Sequence, residues 1–229
     1  MPKTLAQRCV AEAIGTWAIV FFGCGAIVLY GGGADPATPL LISLTFGFAV
    51  AAMIYTLGHI CGAHFNPAVT LGFAAMDRHA WREVVPYMIA QCTGAILGSA
   101  MHALWIPAAA TSQDFGATIP AIPVWSAVGL EAVLTFGLML VIAGSAIDVR
   151  AHRSFGGLAI GLYVVIAGLV GGPMTGCSMN PARSLAPALF DGAGSLGVLW
   201  IAMVGPVIGA VIAARLYVWL ERESIAGAA

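Results

Sequence analysis

Six stretches of this chain are apolar for long enough to cross a lipid bilayer: Val10 to Leu29, Leu40 to Leu57, Val84 to Ile106, Val124 to Ile147, Phe155 to Val170 and Leu196 to Leu220. About 20 apolar residues of helix cover ~30 Å of hydrocarbon, and the Phe155 stretch meets that length only marginally. Lipid offers no hydrogen bonds to an open backbone, so each stretch is predicted as a helix. Composition agrees: 60% of the 229 residues are hydrophobic and 8% charged, where a soluble domain carries roughly 25% charged residues. A soluble enzyme and a disordered chain are excluded, and the net charge of −1 leaves no basic footprint for nucleic acid. Glycines inside the spans (Gly94, Gly98, Gly157, Gly161, Gly205, Gly209) suit close helix packing in lipid.

Lys3 and Arg8 precede the first apolar stretch as in a signal peptide, but the stretch is too long for a signal core and reads as a retained span. Basic residues set the orientation. Lys3, Arg8, Arg78, Arg82, Arg150, Arg153, Arg215 and Arg222 all fall on one side of a six-span chain. The other side carries Asp35, Asp114, Asp191 and one arginine, Arg183. Both termini are therefore predicted cytoplasmic. Five scattered cysteines (Cys9, Cys24, Cys61, Cys92, Cys177) show no paired spacing, which argues against disulfides and against a metal site.

The chain repeats itself. Glu12-Ala-Ile-Gly-Thr-Trp17 matches Glu131-Ala-Val-Leu-Thr-Phe136, His64-Phe-Asn-Pro-Ala68 matches Ser178-Met-Asn-Pro-Ala182, and Gly94-Ala95 matches Gly209-Ala210, at offsets of 119, 114 and 115. Residues 1–229 thus form one membrane domain: a first repeat over about 1–106, a polar, proline-bearing linker over about 107–123, and a second repeat over about 124–229. Three spans per repeat force opposite insertion, an inverted three-plus-three architecture whose site lies at the repeat interface near the midplane.

Two apolar segments are too short to span. Asn66 to Met76 and Asn180 to Phe190 each rise only ~16 Å as helix. Asn favours the N-cap and Pro the first helical turn, so Asn66-Pro67-Ala68 and Asn180-Pro181-Ala182 are read as the starts of two re-entrant half-helices. Irregular backbone at that depth must be buried in protein or line a watery cavity. Gly62-Ala63-His64-Phe65 and Gly176-Cys177-Ser178-Met179 would be that backbone. Pseudo-symmetry brings the two half-helices together N-terminus to N-terminus, each with roughly half a positive charge. Such a lumen repels cations and suits a neutral molecule with donors and acceptors, passively selected.

His64-Phe-Asn-Pro-Ala-Val-Thr-Leu-Gly72, Asn180-Pro-Ala-Arg-Ser184 and the paired Glu-Ala motifs resemble the aquaporin (major intrinsic protein) family over essentially the whole chain. In look the chain is similar to bacterial water channels of the aquaporin Z type. The resemblance implies a homotetramer with one pore per subunit in a cell membrane, the inner membrane for a bacterium. It implies a selectivity filter of Phe46, Gly168, Cys177 and Arg183, and loop-supporting roles for Glu12 and Glu131. Gly168 stands where water-selective members usually carry His and glycerol facilitators Gly, so a wider, more apolar constriction is expected. Ser184, Ala188 and the compact loops are of the water-channel type, and Ala202-Met203 fits neither type.

Water permeation is the expected function, with glycerol, urea, hydrogen peroxide or undissociated metalloid acids as additional solutes. The alternative is a broad facilitator of such solutes with water secondary. A proton-coupled carrier would use Glu12 and Glu131 as its relay, and a structural junction protein would conduct little. No catalytic constellation or nucleotide-binding loop is present, and nothing in the sequence asks for a cofactor. His64 is a candidate lumen residue and His59 a weaker one. Cys177 is expected to face the pore and the other cysteines to act as packing residues. Tyr30, Trp81, Trp105, Trp125 and Trp219 are expected to anchor the membrane interfaces.

Overall fold

The computed structural model describes residues 3–33, 35–148 and 150–226, the side chains of 153 and 222–226 excepted. The ends of the 1–229 unit and the side chains of Arg153 and Arg222 counted above lie outside the described residues. The elements are α1 (Leu5–Tyr30), α2 (Thr38–Cys61), the half-length α3 (Pro67–Ala75), α4 (Trp81–Trp105), a short α5 (Pro107–Ser112), α6 (Val124–Ile147), α7 (Gly156–Thr175), the half-length α8 (Pro181–Asp191) and α9 (Ala193–Ala226). Six of them are long and apolar enough to cross a membrane, and no strand occurs among the described residues. The protein is an all-α, multi-pass membrane protein.

Local chemistry fixes the helix ends. Thr4 caps α1 in a reciprocal box, its hydroxyl accepting from Gln7 N–H at 3.2 Å while Gln7 accepts from Thr4 N–H at 2.9 Å. Several spans run further than their apolar stretches, and two do so through glycine or proline: α2 passes Leu57 to Cys61, and α7 passes Val170 to Thr175. Gly58 and the run Gly171-Gly172-Pro173 look like breakers, yet the helix continues through them. It stops one turn later, at Gly62 (φ 87°) and Gly176 (φ 79°). These left-handed glycines donate back to the carbonyls of Gly58 and Gly172 at 2.9 and 3.0 Å.

The helix crossings follow the internal repeat. A Cβ on Gly94 of α4 would sit 2.0 Å from the carbonyl oxygen of Ala13 in α1, and one on Gly209 of α9 would sit 2.0 Å from that of Ala132 in α6. Where α2 crosses α7, Gly47 and Gly161 meet reciprocally: each would place a Cβ on the other's carbonyl, at 2.5 and 2.6 Å. Backbones this close leave no room for a side chain, which is the use small residues have in lipid-embedded interfaces. The 13/132, 94/209 and 47/161 pairings preserve the sequence offsets, so the fold is the inverted three-plus-three repeat with α3 and α8 as its re-entrant half-helices.

Ion pairs gather at one end of the bundle. Arg8 meets Glu83 at 2.8 Å, and Arg78 meets Glu221 at 3.6 Å, which places the start of α1, the α3–α4 loop and the far part of α9 together. Tyr30, Trp81, Trp105, Trp125 and Trp219 are each more than half exposed.

Candidate functional site

The first turn of a helix leaves backbone N–H groups without partners, and here each Asn side chain satisfies two of them. Asn66 Oδ1 accepts from Ala68 N–H (2.8 Å) and Val69 N–H (3.4 Å); Asn180 Oδ1 accepts from Ala182 N–H (3.1 Å) and Arg183 N–H (3.3 Å). The amide nitrogens tie the two half-helices to each other's loops. Asn66 Nδ2 donates to the Met179 carbonyl at 2.6 Å, and Asn180 Nδ2 to the Phe65 carbonyl at 2.9 Å. Two helix N-termini therefore meet head to head, with an unused amide hydrogen left on each Asn.

The approach to each cap is strained in the same way. Gly62, Ala63 and Phe65, and their counterparts Gly176, Cys177 and Met179, all have positive φ, between 45° and 87°. For the non-glycine members that conformation is costly and persists only where surroundings impose it. The imposing groups are two carboxylates. Glu12 accepts from His64 N–H (2.9 Å) and Phe65 N–H (2.6 Å); Glu131 accepts from Ser178 N–H (2.8 Å) and Met179 N–H (2.9 Å). Both glutamates are almost wholly buried, so each must be hydrogen-bonded and each loop N–H needs an acceptor. Among the described residues, the carbonyls of Gly62, Ala63 and His64, and of Gly176, Cys177 and Ser178, accept no hydrogen bond. All six residues border a continuous cavity of about 700 Å³.

That cavity runs from Asp35, Ser112, Gln113 and Asp114 at one end, between Asn66 and Asn180, to Ile54, Phe73, Ala146 and Ile160 at the other. Phe46, Gly168, Cys177 and Arg183 all line it. Arg183 is 2% exposed; its Nη1 donates to the Gly116 carbonyl at 3.0 Å and its guanidinium lies 4.9 Å from the Phe46 ring centroid. The linker is thus more than a tether. Its Asp114–Gly116 turn reaches back into the bundle, where Gly116 abuts Cys24, and supplies the oxygen that orients Arg183.

Several side chains that hold the site together escaped the sequence reading. Gln91 Nε2 bridges Glu12 (2.8 Å) and Thr70 (2.9 Å), and Thr175 Oγ1 donates to Glu131 at 2.6 Å. His64 Nδ1 pairs with Thr70 Oγ1 at 3.1 Å as Ser178 Oγ pairs with Ser184 Oγ at 2.6 Å, positions related by 114 residues. That offset, applied to every polar residue, would have found the last two pairs. Cys61, expected only to pack, also accepts from Ala63 N–H at 3.4 Å, the bond Thr175 makes with Cys177 N–H at 3.2 Å. His59 makes no contact with the cavity. A Cβ at Gly168 would lie 2.8 Å from the Ser43 hydroxyl, so a polar group stands beside the position that carries no side chain.

Residues 2–217 match the sequence model of the family described as Major intrinsic protein. The chain is 41% identical over 211 residues to Aquaporin NIP1-1 of Zea mays, covering 92% of this chain and 73% of the relative. It is 43% identical over 249 residues to the probable aquaporin AqpM of Archaeoglobus fulgidus, covering 97% and 100%. Its fold is similar to that of the aquaglyceroporin from Plasmodium falciparum, with a TM-score of 0.84 at 23% identity over 94% of this chain and 96% of that one.

Proposed function

The chain belongs to the major intrinsic protein family, and on that premise we propose that it is a passive transmembrane channel for water and small neutral solutes that excludes protons and ions. One observation carries this reading: an unbroken cavity passes between two half-helix N-termini capped by Asn66 and Asn180. Each terminus contributes about half a positive charge, so a cation at the midpoint meets repulsion from both sides. A water molecule there accepts from the free amide hydrogens of both asparagines. With its oxygen so engaged, it cannot accept a proton from a neighbour, and a proton relay is interrupted. The unpaired carbonyls of the two loops take the water hydrogens before and after that point. Pro67, Ala68, Pro181 and Ala182 start the half-helices and keep the caps in place.

Phe46, Gly168, Cys177 and Arg183 act as the size and charge filter. The Arg183 guanidinium offers donors and a full positive charge, and the Phe46 ring limits the width. The absence of a side chain at Gly168 supports a second reading, a broader facilitator that also passes glycerol or urea. Glu12 and Glu131 serve as loop supports, since each carboxylate accepts from two loop N–H groups and from one side-chain donor, Gln91 or Thr175. Further elements of the proposal are a homotetramer with one pore per subunit, both termini in the cytoplasm and, for a bacterial source, residence in the inner membrane. The positive-inside pattern supports the orientation.

Stopped-flow light scattering on proteoliposomes tests the reading. Shrinkage in an impermeant osmolyte should be at least several-fold faster than in empty liposomes, with no dependence on a proton gradient. Reswelling in glycerol or urea would extend it to the broader facilitator. Osmotic rates equal to empty liposomes would sink the channel reading, and accumulation against a gradient would make the protein a carrier.

A further inference from the structure

Ser43 lies on α2, three residues before Phe46 and therefore on the same helical face. It is 4% exposed and lines the cavity. Helical hydroxyls in this protein normally satisfy themselves: Thr45, Thr56 and Thr93 each donate to the carbonyl four residues back at 2.8 Å. The Ser43 hydroxyl has no such bond, nor any other partner among the described residues. It is also absent from the polar atoms sealed away without a partner, which are His79 Nε2, Gln91 Oε1, Ser99 Oγ, His102 Nδ1 and Arg183 Nε. An unpartnered hydroxyl in a cavity wall that is not sealed off is open to whatever occupies the cavity.

Gly168 is what leaves that hydroxyl its place. A Cβ at 168 would lie 2.8 Å from Ser43 Oγ and 3.2 Å from Ser43 Cβ, so any side chain there must turn the hydroxyl away. The other side chains at this level offer little to a solute that donates hydrogen bonds. Arg183 has donors only, Phe46 is apolar, and a thiol is a weak acceptor. A solute stripped of its water in a narrow passage must replace the lost hydrogen bonds or stay out.

We propose that Ser43 is a fifth specificity-determining residue of the constriction, its hydroxyl accepting from and donating to a neutral polyol of glycerol size in the space Gly168 leaves open. The inference deepens the channel reading and rests on it. The polyol lays its carbon chain against Phe46, one hydroxyl accepts from Arg183, and another is met by Ser43. Positions 43 and 168 work as one unit, because only a residue without a Cβ at 168 lets the hydroxyl face the lumen.

The test compares glycerol and water permeability of the full chain in proteoliposomes for wild type, Ser43→Ala, Gly168→Ala and the double variant. Ser43→Ala should lower the glycerol-to-water ratio on the order of fivefold, the size of one hydrogen bond. Gly168→Ala should lower it similarly by displacing the same hydroxyl, and the double variant should add almost nothing further. A ratio unchanged in Ser43→Ala, or independent additive losses in the double variant, would overturn the proposal. So would a wild type that conducts water and excludes glycerol, which leaves the channel reading standing. A wild type that conducts neither defeats the channel reading itself and the proposal with it.

Discussion

At the scale of single residues, Arg183 carries a charge with a defined setting: one bond to the Gly116 carbonyl and a face against Phe46. A monovalent cation about 5 Å from that guanidinium meets a repulsion of roughly 3 kcal/mol at an effective dielectric of 20. Arg183→Val should therefore raise cation leak on the order of a hundredfold and admit larger neutral solutes, read by sodium flux and by reswelling. Unchanged selectivity would remove Arg183 from the filter. A second residue has a pH signature. His79, in the loop between α3 and α4, packs 4.9 Å from the His64 ring and 4.5 Å from the Tyr87 ring, and burial holds its pKa below the ordinary imidazole value against the opposing pull of Glu83. The unfolded chain then takes up the proton first. Stability is complete above about pH 6.5 and declines as pH falls from there through the folded value. The melting temperature in detergent should drop between pH 7 and 5, and His79→Gln should flatten that drop; an identical profile would show that other groups set it. Arg183 was readable in the sequence from its place after Asn-Pro-Ala. Its partner Gly116 was not, because a carbonyl 67 residues away leaves no trace in a pattern of side chains.

At the scale of elements, the half-helices were the clearest message, since Asn at the N-cap and Pro behind it are local chemistry that any environment respects. The span ends were less clear, because glycine and proline weaken a helix in water and are tolerated in one packed within a membrane. The same glycines decide how the helices cross. Gly94 and Gly209 face backbone carbonyls that cannot move aside, so Gly94→Val or Gly209→Val should destabilise the fold by about 3 kcal/mol or more. Loss of a monodisperse peak on size-exclusion chromatography, or a large fall in melting temperature, is the expected reading. Gly129 and Gly197 have nothing within 4 Å of an added Cβ, and replacing either with Ala should leave stability equal or slightly higher. Equal effects at all four positions would mean that helix propensity, rather than the crossings, sets the response.

At the scale of the whole molecule, the fold was readable because its symmetry is written twice. The Glu-Ala, Asn-Pro-Ala and Gly-Ala pairs each recur at nearly one offset, and three spans per repeat leave no option but opposite insertion. The hydrogen-bond lattice around Glu12 and Glu131 was only half visible, since Gln91 has no counterpart that does its work and Thr175 takes over on the other side. The proposed orientation rests on the same duplication combined with charge. The two halves must enter the membrane in opposite senses, so each needs its basic residues on opposite sides of its own first span. Lys3 and Arg8 stand before α1, whereas Arg150 stands after α6. The start of α1 and the far part of α9 lie at one end of the bundle, where Arg8 meets Glu83 and Arg78 meets Glu221, and the asymmetry supports that end as the cytoplasmic one. A fluorescent protein that folds only in the cytoplasm, fused after residue 229, should therefore glow, and alkaline phosphatase at the same point should stay inactive. The reverse pair of results would overturn the proposed orientation and would put the end of the cavity lined by Phe46 and Arg183 on the cytoplasmic side.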